Sequence, residues 1–354
     1  MIRRIDEHRW LSWLMVESWW PPPTLMQQHW PLAVSSGMIE NSWSKLPNPA
    51  FAGESVTGIP MEQAIVIGSI ARRVLDGVRF GRVAEIFERS LYLDVNGDWI
   101  CLADMALGSG PLIVSIEGKY GRGWMHRFSV GRLVELTPAS ININDCPIIS
   151  TQGVSSWLPP PPPIWSKTSL ERGLDALANL SEARLPTEGL GRFLLACHNT
   201  FPATAESLAA VPSIEVLENW LHESFGALIP RSPDNESVAA LLGLGPGLTP
   251  SGDDFLGGML IALHVCGKII VQKQLYIPIA AMLENTGPVS RAHLQAASIG
   301  EGSEALHRMF YALLKADAVK LASEVDAIDR IGHTSGWDTL AGIATVLRAI
   351  TSEV

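Results

Sequence analysis

The sequence predicts an α+β protein, an antiparallel β-rich N-terminal domain followed by an all-helical C-terminal domain, and three observations carry that prediction. From Arg82 to about Ile149 the apolar runs are short, β-branched or aromatic, and broken by turn residues. After Ser169 the apolar residues switch to spacings of three and four. Between the two stands a run of five prolines, Pro159 to Pro163, flanked by Trp157 and Trp165. Strands first and helices after is the order expected when the two element types segregate.

The chain has 354 residues, of which 47% are hydrophobic and 18% charged, so it can bury a substantial core. Its formal charge of −10 opposes phosphodiester backbones and anionic lipid, so nucleic acid and membrane surfaces are not expected partners. A small anionic ligand in a locally positive pocket remains compatible with it. Cys101, Cys146, Cys197 and Cys266 are far apart with no CxxC pair, and read as small buried hydrophobes in a reducing compartment. Phe255 to Gly267, the longest apolar run, is too short for the ~20 residues of a bilayer span. Arg3 and Arg4 precede an apolar stretch, but Asp6, Glu7, His8 and Arg9 interrupt it and no small-residue cleavage site follows, so the expected location is cytoplasmic.

Residues 1–50 hold half of the twelve tryptophans, broken by Pro21-Pro22-Pro23. They read as an arm packing its indoles onto the body or a partner, or else as an aromatic or carbohydrate site. Residues 51–155 form the expected β-rich domain, a small antiparallel sheet or barrel. There SLYLDV, WICLA and PLIVSI are the clearest strands, and Asn96-Gly97 marks a hairpin because both turn positions favour positive φ. Residues 156–168 form a stiff polyproline spacer, or a ligand for a proline-binding module. Residues 169–354 give the helical domain, with about six to eight helices expected from periods such as Leu170, Leu174, Leu177, Leu180 and Leu306, Phe310, Leu313, Leu314.

The densest chemical signal is Gly243-Leu244-Gly245-Pro246-Gly247-Leu248-Thr249-Pro250-Ser251-Gly252-Asp253-Asp254. Alternate glycines allow sharp turns and close backbone approach, and Ser251 with Asp254 three residues on has the pattern of a capping box. A glycine-rich loop feeding a buried helix start is a natural seat for phosphate or carboxylate, through Gly245, Gly247, Thr249, Ser251 and Gly252. No Lys-Ser/Thr pair follows, so it is not a Walker loop, and no Gly-x-Ser-x-Gly elbow is present.

A second segment copies it. Ser251-Gly252-Asp253-Asp254-Phe255-Leu256-Gly257-Gly258 aligns with Ser335-Gly336-Trp337-Asp338-Thr339-Leu340-Ala341-Gly342, so both helices start Ser-Gly-x-Asp and carry a glycine two residues after a leucine. Two arrangements are open. The helices pack as a pseudo-symmetric pair with both starts at one cavity, adding Thr334, Ser335 and Asp338 to the site, or they are two ordinary capped helices far apart.

Between the copies, Arg291 can grip an oxyanion and His293 can trade a proton near neutral pH, unless both merely decorate the surface. His333, just before Thr334, is the other well-placed histidine, and Gly302-Ser303 reads as a third cap. Asp253 is the acid without capping duty, free to orient Arg291, accept a proton, or hold Mg2+ beside a bound phosphate. Mg2+ is the one cofactor the residues leave open, and the absence of a His/Cys ligand cluster argues against a dedicated zinc site.

GLGPGLTPSGDDFLGG (243–258), SRAHLQAASIGEGSEAL (290–306) and GHTSGWDTLAG (332–342) together resemble a bacterial family that includes the AllH subunit of oxamate carbamoyltransferase, from anaerobic allantoin catabolism. The resemblance runs from Gly243 to the C-terminus, extends to GRVAEIFERSLYL (81–93) in the strand region, and does not cover the Trp-rich arm. It implies a subunit of a complex converting oxalurate and phosphate to oxamate and carbamoyl phosphate, with an FdrA-like, acyl-CoA-synthetase-like subunit and a further companion. It supplies no residue roles. On physical grounds the loop amides and Arg291 would hold the anionic substrate (phosphate, carbamoyl phosphate or an oxalurate-like compound), the Ser335 helix start would stabilise the carbamoyl oxygen, and Asp253, Asp254, His293 or His333 would handle protons. A non-catalytic scaffold and a stand-alone enzyme on a ureido or phosphorylated metabolite are the other two readings.

Overall fold

The computed structural model describes residues 61–117, 124–144, 146–195 and 204–353. The Trp-rich arm, Cys197 and His198 lie outside the described residues.

Strand formation follows the alternation in the sequence. In β3 (Ser90–Val95) every second residue is buried, Leu91, Leu93 and Val95 among them, and β4 (Asp98–Asp104) returns beside it through the Asn96-Gly97 turn. Both turn residues have positive φ, 56° and 92°, the conformation the Asn-Gly pair was expected to supply. Together with β1 (Glu62–Gly68), β2 (Arg79–Ile86), β5 (Ile113–Ile116), β6 (Leu133–Leu136), β7 (Ser140–Ile143) and β8 (Cys146–Ser150) they pair in the order β5-β4-β3-β2-β6-β7-β8-β1, and β1 closes back onto β5. The result is a barrel, with β9 (Ser156–Trp157) added along β1.

Most pairings are antiparallel, as expected, but β4–β5, β1–β8 and β1–β9 are parallel. Their connections are the reason. β4 reaches β5 not by a tight hairpin but through a one-turn helix at Met105–Leu107 and the Gly108–Leu112 loop, which turns the chain back to run in the same direction. The short helix α1 (Ser69–Val74) sets Ala71 and Val74 into the barrel's core.

After the prolines the described residues form nine further helices, somewhat more than expected: α2 (Lys167–Ser181), α3 (Ala205–Gly226), α4 (Asn235–Leu241), α5 (Ser251–Val265), α6 (Ile269–Ala281), α7 (Pro288–Ala297), α8 (Glu304–Leu314), α9 (Ala318–Ile328) and α10 (Ser335–Thr351). They surround a second hydrophobic core, separate from the barrel's. At its centre α5 is buried on almost every face, as an apolar run without a polar stripe must be. Among the described residues no helix is long and apolar enough to cross a membrane.

The Gly300–Glu304 segment, prominent in the sequence, joins the helices to the barrel. The Glu304 backbone N–H donates to Ser109 O at 2.7 Å while Ser109 N–H donates to the Glu304 carboxylate at 3.2 Å, and the Ser69 hydroxyl donates to Glu301. Ser303 caps α8 by accepting from Leu306 N–H at 3.3 Å, as its position suggested.

Candidate functional site

The approach to α5 is shaped by glycine. Gly243, Gly245 and Gly247 all have positive φ, so the chain leaving α4 reverses and brings Gly252 directly under the end of that helix. A Cβ on Gly252 would stand 1.9 Å from Leu241 O, and one on Gly245 would stand 2.4 Å from Glu206 Oε1, so neither position accepts a side chain. Glu206 thereby enters the site from the first turn of α3.

The helix start differs from the expected capping box. Pro250 is the N-cap residue, without a side-chain cap, and Ser251 is the first helical residue. The free N–H groups of the first turn are met from within the chain: Gly252 N–H donates to Leu244 O at 2.9 Å, and Asp253 and Asp254 N–H donate to Pro250 O at 2.9 and 3.1 Å. At α10 the same holds, with Thr334 at the N-cap, Gly336 N–H on Ile331 O and Asp338 N–H on Thr334 O. With those donors occupied, the two acids are released from capping and face across to the other helix.

Asp253 has a different task. Its Oδ1 accepts from Gly243 N–H at 2.8 Å, and its Oδ2 accepts from the Ser290 hydroxyl at 2.7 Å and from the Thr286 hydroxyl. One carboxylate, 2% exposed, thus ties the glycine loop to the start of α7. Asp253→Ala is expected to destabilise the protein by about 3 kcal/mol, because three donors, the Thr286 and Ser290 hydroxyls buried and the Gly243 amide half-buried, lose their acceptor together; a denaturant melt of the variant measures it, and Asp253→Asn should recover part of the loss.

The two copied segments do pack as a reciprocal pair. A Cβ on Gly258 would stand 2.0 Å from Thr339 O, and a Cβ on Gly342 would stand 2.0 Å from Phe255 O. Because Gly258 aligns with Gly342 and Phe255 with Thr339, the two contacts are one contact repeated about a pseudo-twofold axis. At the end of this axis the helix starts meet, with Thr249 Oγ1 and Ser335 Oγ 2.9 Å apart. The pairing crosses again in the acids: the Ser335 hydroxyl acts on Asp254, and the equivalent Ser251 hydroxyl acts on Asp338.

These acids are unusual electrostatically. Burial, the facing charge of Asp338 and the nearby Asp253 hold the Asp254 carboxyl well above the usual carboxylate range. Burial likewise pushes Asp338 up to about 6, against the opposing pull of the Thr334, Leu190 and Ser251 donors. Asp338 is 0% exposed; its Oδ1 accepts from Leu190 N–H at 2.6 Å and its Oδ2 has no hydrogen-bond partner. Asp254 Oδ2 and Glu206 Oε1 are also buried without partners. Among the described residues no group of three or more His, Cys, Asp or Glu is arranged to hold a metal ion.

The structure therefore gathers Gly245, Thr249, Ser251, Gly252, Asp253, Asp254, Ser335 and Asp338 around one axis. Arg291, on α7, forms an ion pair with the exposed Glu284 at 2.6 Å. His293, also on α7, is pushed down to about 4 by burial, which keeps it neutral at pH 7. His333 is at the surface, 80% exposed, its Nε2 2.9 Å from Glu188. Two participants escaped the sequence reading, Glu206 and the Leu190 amide. Glu206 follows a Thr204 cap, which looks like any ordinary helix start, and an amide carries no sequence signal.

Residues 241–347 match the family of the oxamate carbamoyltransferase subunit AllH. The matched stretch begins at the end of α4 and closes inside α10, so it contains both helix starts and α7 while leaving out the barrel. This bears out the AllH-type kinship that the three motifs suggested. No solved structure matches the chain.

Proposed function

We propose, from the AllH-type kinship of residues 241–347, that this chain serves as a subunit of a carbamoyltransferase complex that phosphorolyses oxalurate or a related ureido compound in purine-derived nitrogen catabolism. The observation that carries the reading is that the matched stretch frames the α5–α10 pair, where Asp254 and Asp338 each keep one buried carboxylate oxygen without a hydrogen-bond partner. Such groups destabilise a fold, and sites of chemistry are where folds retain them.

In this reading phosphate attacks the carbamoyl carbon, the C–N bond breaks, and oxamate leaves as carbamoyl phosphate forms. Arg291 turns from Glu284 to the anionic part of the substrate, an exchange of one exposed carboxylate for another. The hydroxyls of Thr249 and Ser335, 2.9 Å apart, stand where the helix starts meet. The companions would be the FdrA-like subunit and a further subunit, and the complex would work in the cytoplasm.

The test is carbamoyl phosphate formation from oxalurate and phosphate by the chain reconstituted with its companions. Arg291→Ala should raise the KM for the anionic substrates by roughly tenfold or more, as loss of a charge-assisted contact does. An unchanged KM removes Arg291 from the site, and inactivity of the wild-type complex removes the reaction.

A scaffold role is the second reading, and the fully exposed Leu228 with the neighbouring Ile229, 83% exposed, is the observation in its favour. If it holds, Leu228→Asp abolishes assembly, and substitutions at the helix starts leave turnover unchanged.

A further inference from the structure

We propose that Asp254 and Asp338 work as one proton-sharing pair that recognises the neutral ureido end of the substrate. The protonated carboxyl donates to the carbamoyl oxygen, and the ionised one accepts from a carbamoyl N–H. This rests on the ureido reading above and adds to it the groups that read the substrate and move its proton.

The two acids are equivalent positions of the copied helices, each set beside the other copy's serine hydroxyl, and each keeps one buried oxygen without a partner. Glu206 aims a third unpartnered oxygen at the same place from α3, against the backbone of Gly245. Asp253 is near but fully engaged by Gly243, Thr286 and Ser290, and Tyr92 of the barrel strand β3 also senses the charge of Asp254. Among the described residues no Lys or Arg forms an ion pair with Asp254, Asp338 or Glu206.

Acids so placed cannot all be charged, and two like groups in one site share a proton instead. What such a pair offers a ligand is one O–H donor and several acceptor oxygens. A free phosphate or carboxylate brings mainly acceptors and negative charge, and matches it poorly. A carbamoyl group brings a carbonyl acceptor beside N–H donors, and matches it well. The ureido end of the substrate therefore enters between the helices while its carboxylate stays outside.

The same pair balances the reaction. As a phosphate oxygen bonds to the carbamoyl carbon and the C–N bond breaks, the protonated carboxyl delivers its proton to the departing amide nitrogen. The ionised partner takes the proton that hydrogen phosphate gives up. One proton enters and one leaves, so the pair is restored for the next cycle.

Infrared difference spectra of the full chain at neutral pH, wild type against Asp254→Asn and Asp338→Asn, together with turnover of the reconstituted complex, test this. The expected results are a protonated-carboxyl band in the wild type that each variant loses, a fall in kcat of about 10²- to 10⁴-fold in each, the scale of general acid–base catalysis, and loss of one limb of the pH–rate profile. Calorimetry on the chain alone should show oxalurate binding more tightly than oxamate, which lacks the carbamoyl group. Absence of the band, or a complex that turns over oxalurate equally well with both variants, overturns the pair while leaving the carbamoyltransferase reading standing. A chain that binds no oxalurate in a complex without activity overturns both.

Discussion

Gly258→Ala is expected to destabilise the protein by about 3 kcal/mol or more, because the added methyl would meet the Thr339 carbonyl oxygen at 2.0 Å, inside any real contact distance. The neighbour is backbone in the second turn of α10, so it has no rotamer to yield, and the clash is relieved only by moving α5 away from α10. Such a movement opens the helical core and separates the two helix starts that hold Asp254 and Asp338. Gly342→Ala should do the same through Phe255 O, and the double variant should cost less than the sum, since one displacement relieves both contacts. Gly257→Ala is the control: its Cβ would lie 3.8 Å from the Ala297 methyl, an ordinary contact, and it should leave stability within about 1 kcal/mol, helped by alanine's better helix propensity. Urea melts of the four variants measure this, and equal midpoints for Gly257→Ala and Gly258→Ala would refute the close packing of the pair.

Asp338→Asn is expected to stabilise the protein at neutral pH and to do nothing below about pH 4. In the unfolded chain an aspartate titrates near 3.9, whereas burial holds Asp338 at about 6 in the fold. Between those values the native state binds more protons than the unfolded one, so stability falls as pH rises through the window, and above it the ionised group costs on the order of 3 kcal/mol. Asn cannot ionise, yet its carbonyl still accepts from Leu190 N–H, so the variant avoids the cost and keeps the contact. Tm at pH 7.5 should rise by roughly 5 °C, with the curves of the two proteins converging near pH 4. Asp254, raised in the same direction, should follow the same pattern. A wild-type Tm that is flat from pH 4 to 7 would show that neither group is held protonated by the fold. A substitution that improves stability while lowering turnover is what distinguishes a functional acid from a structural one.

The helices and most strands were legible because their signals are local. The Asn96-Gly97 turn, the Ser303 cap and the unrelieved apolar faces of α5 are each specified by residues a few positions apart. The copied Ser-Gly-x-Asp segments and their glycines offered the α5–α10 contact as one of two arrangements, since glycines two residues after a leucine allow close approach. What misled the reading was also local. Ser251 and Asp254 carry the spacing of a capping box, but Leu244 O and Pro250 O reach the first-turn amides before a side chain can. Asp253 looked like the unoccupied acid, and its three donors come from Gly243, Thr286 and Ser290, two of them more than thirty residues away in the chain.

The amino-acid order by itself thus determined the two structural classes, the turn and cap positions, the duplicated helix starts and the kinship of the segment that contains them. Tertiary structure alone decided that the sheet closes through parallel pairings into a barrel, that Asp253 is a clasp, that His333 stays at the surface, and that Asp254, Asp338 and Glu206 converge. The division has a physical basis. Propensity and capping act over a single turn, whereas desolvation and charge coupling depend on which groups the whole chain brings to within a few ångströms of one another, a distance that no spacing along the sequence encodes.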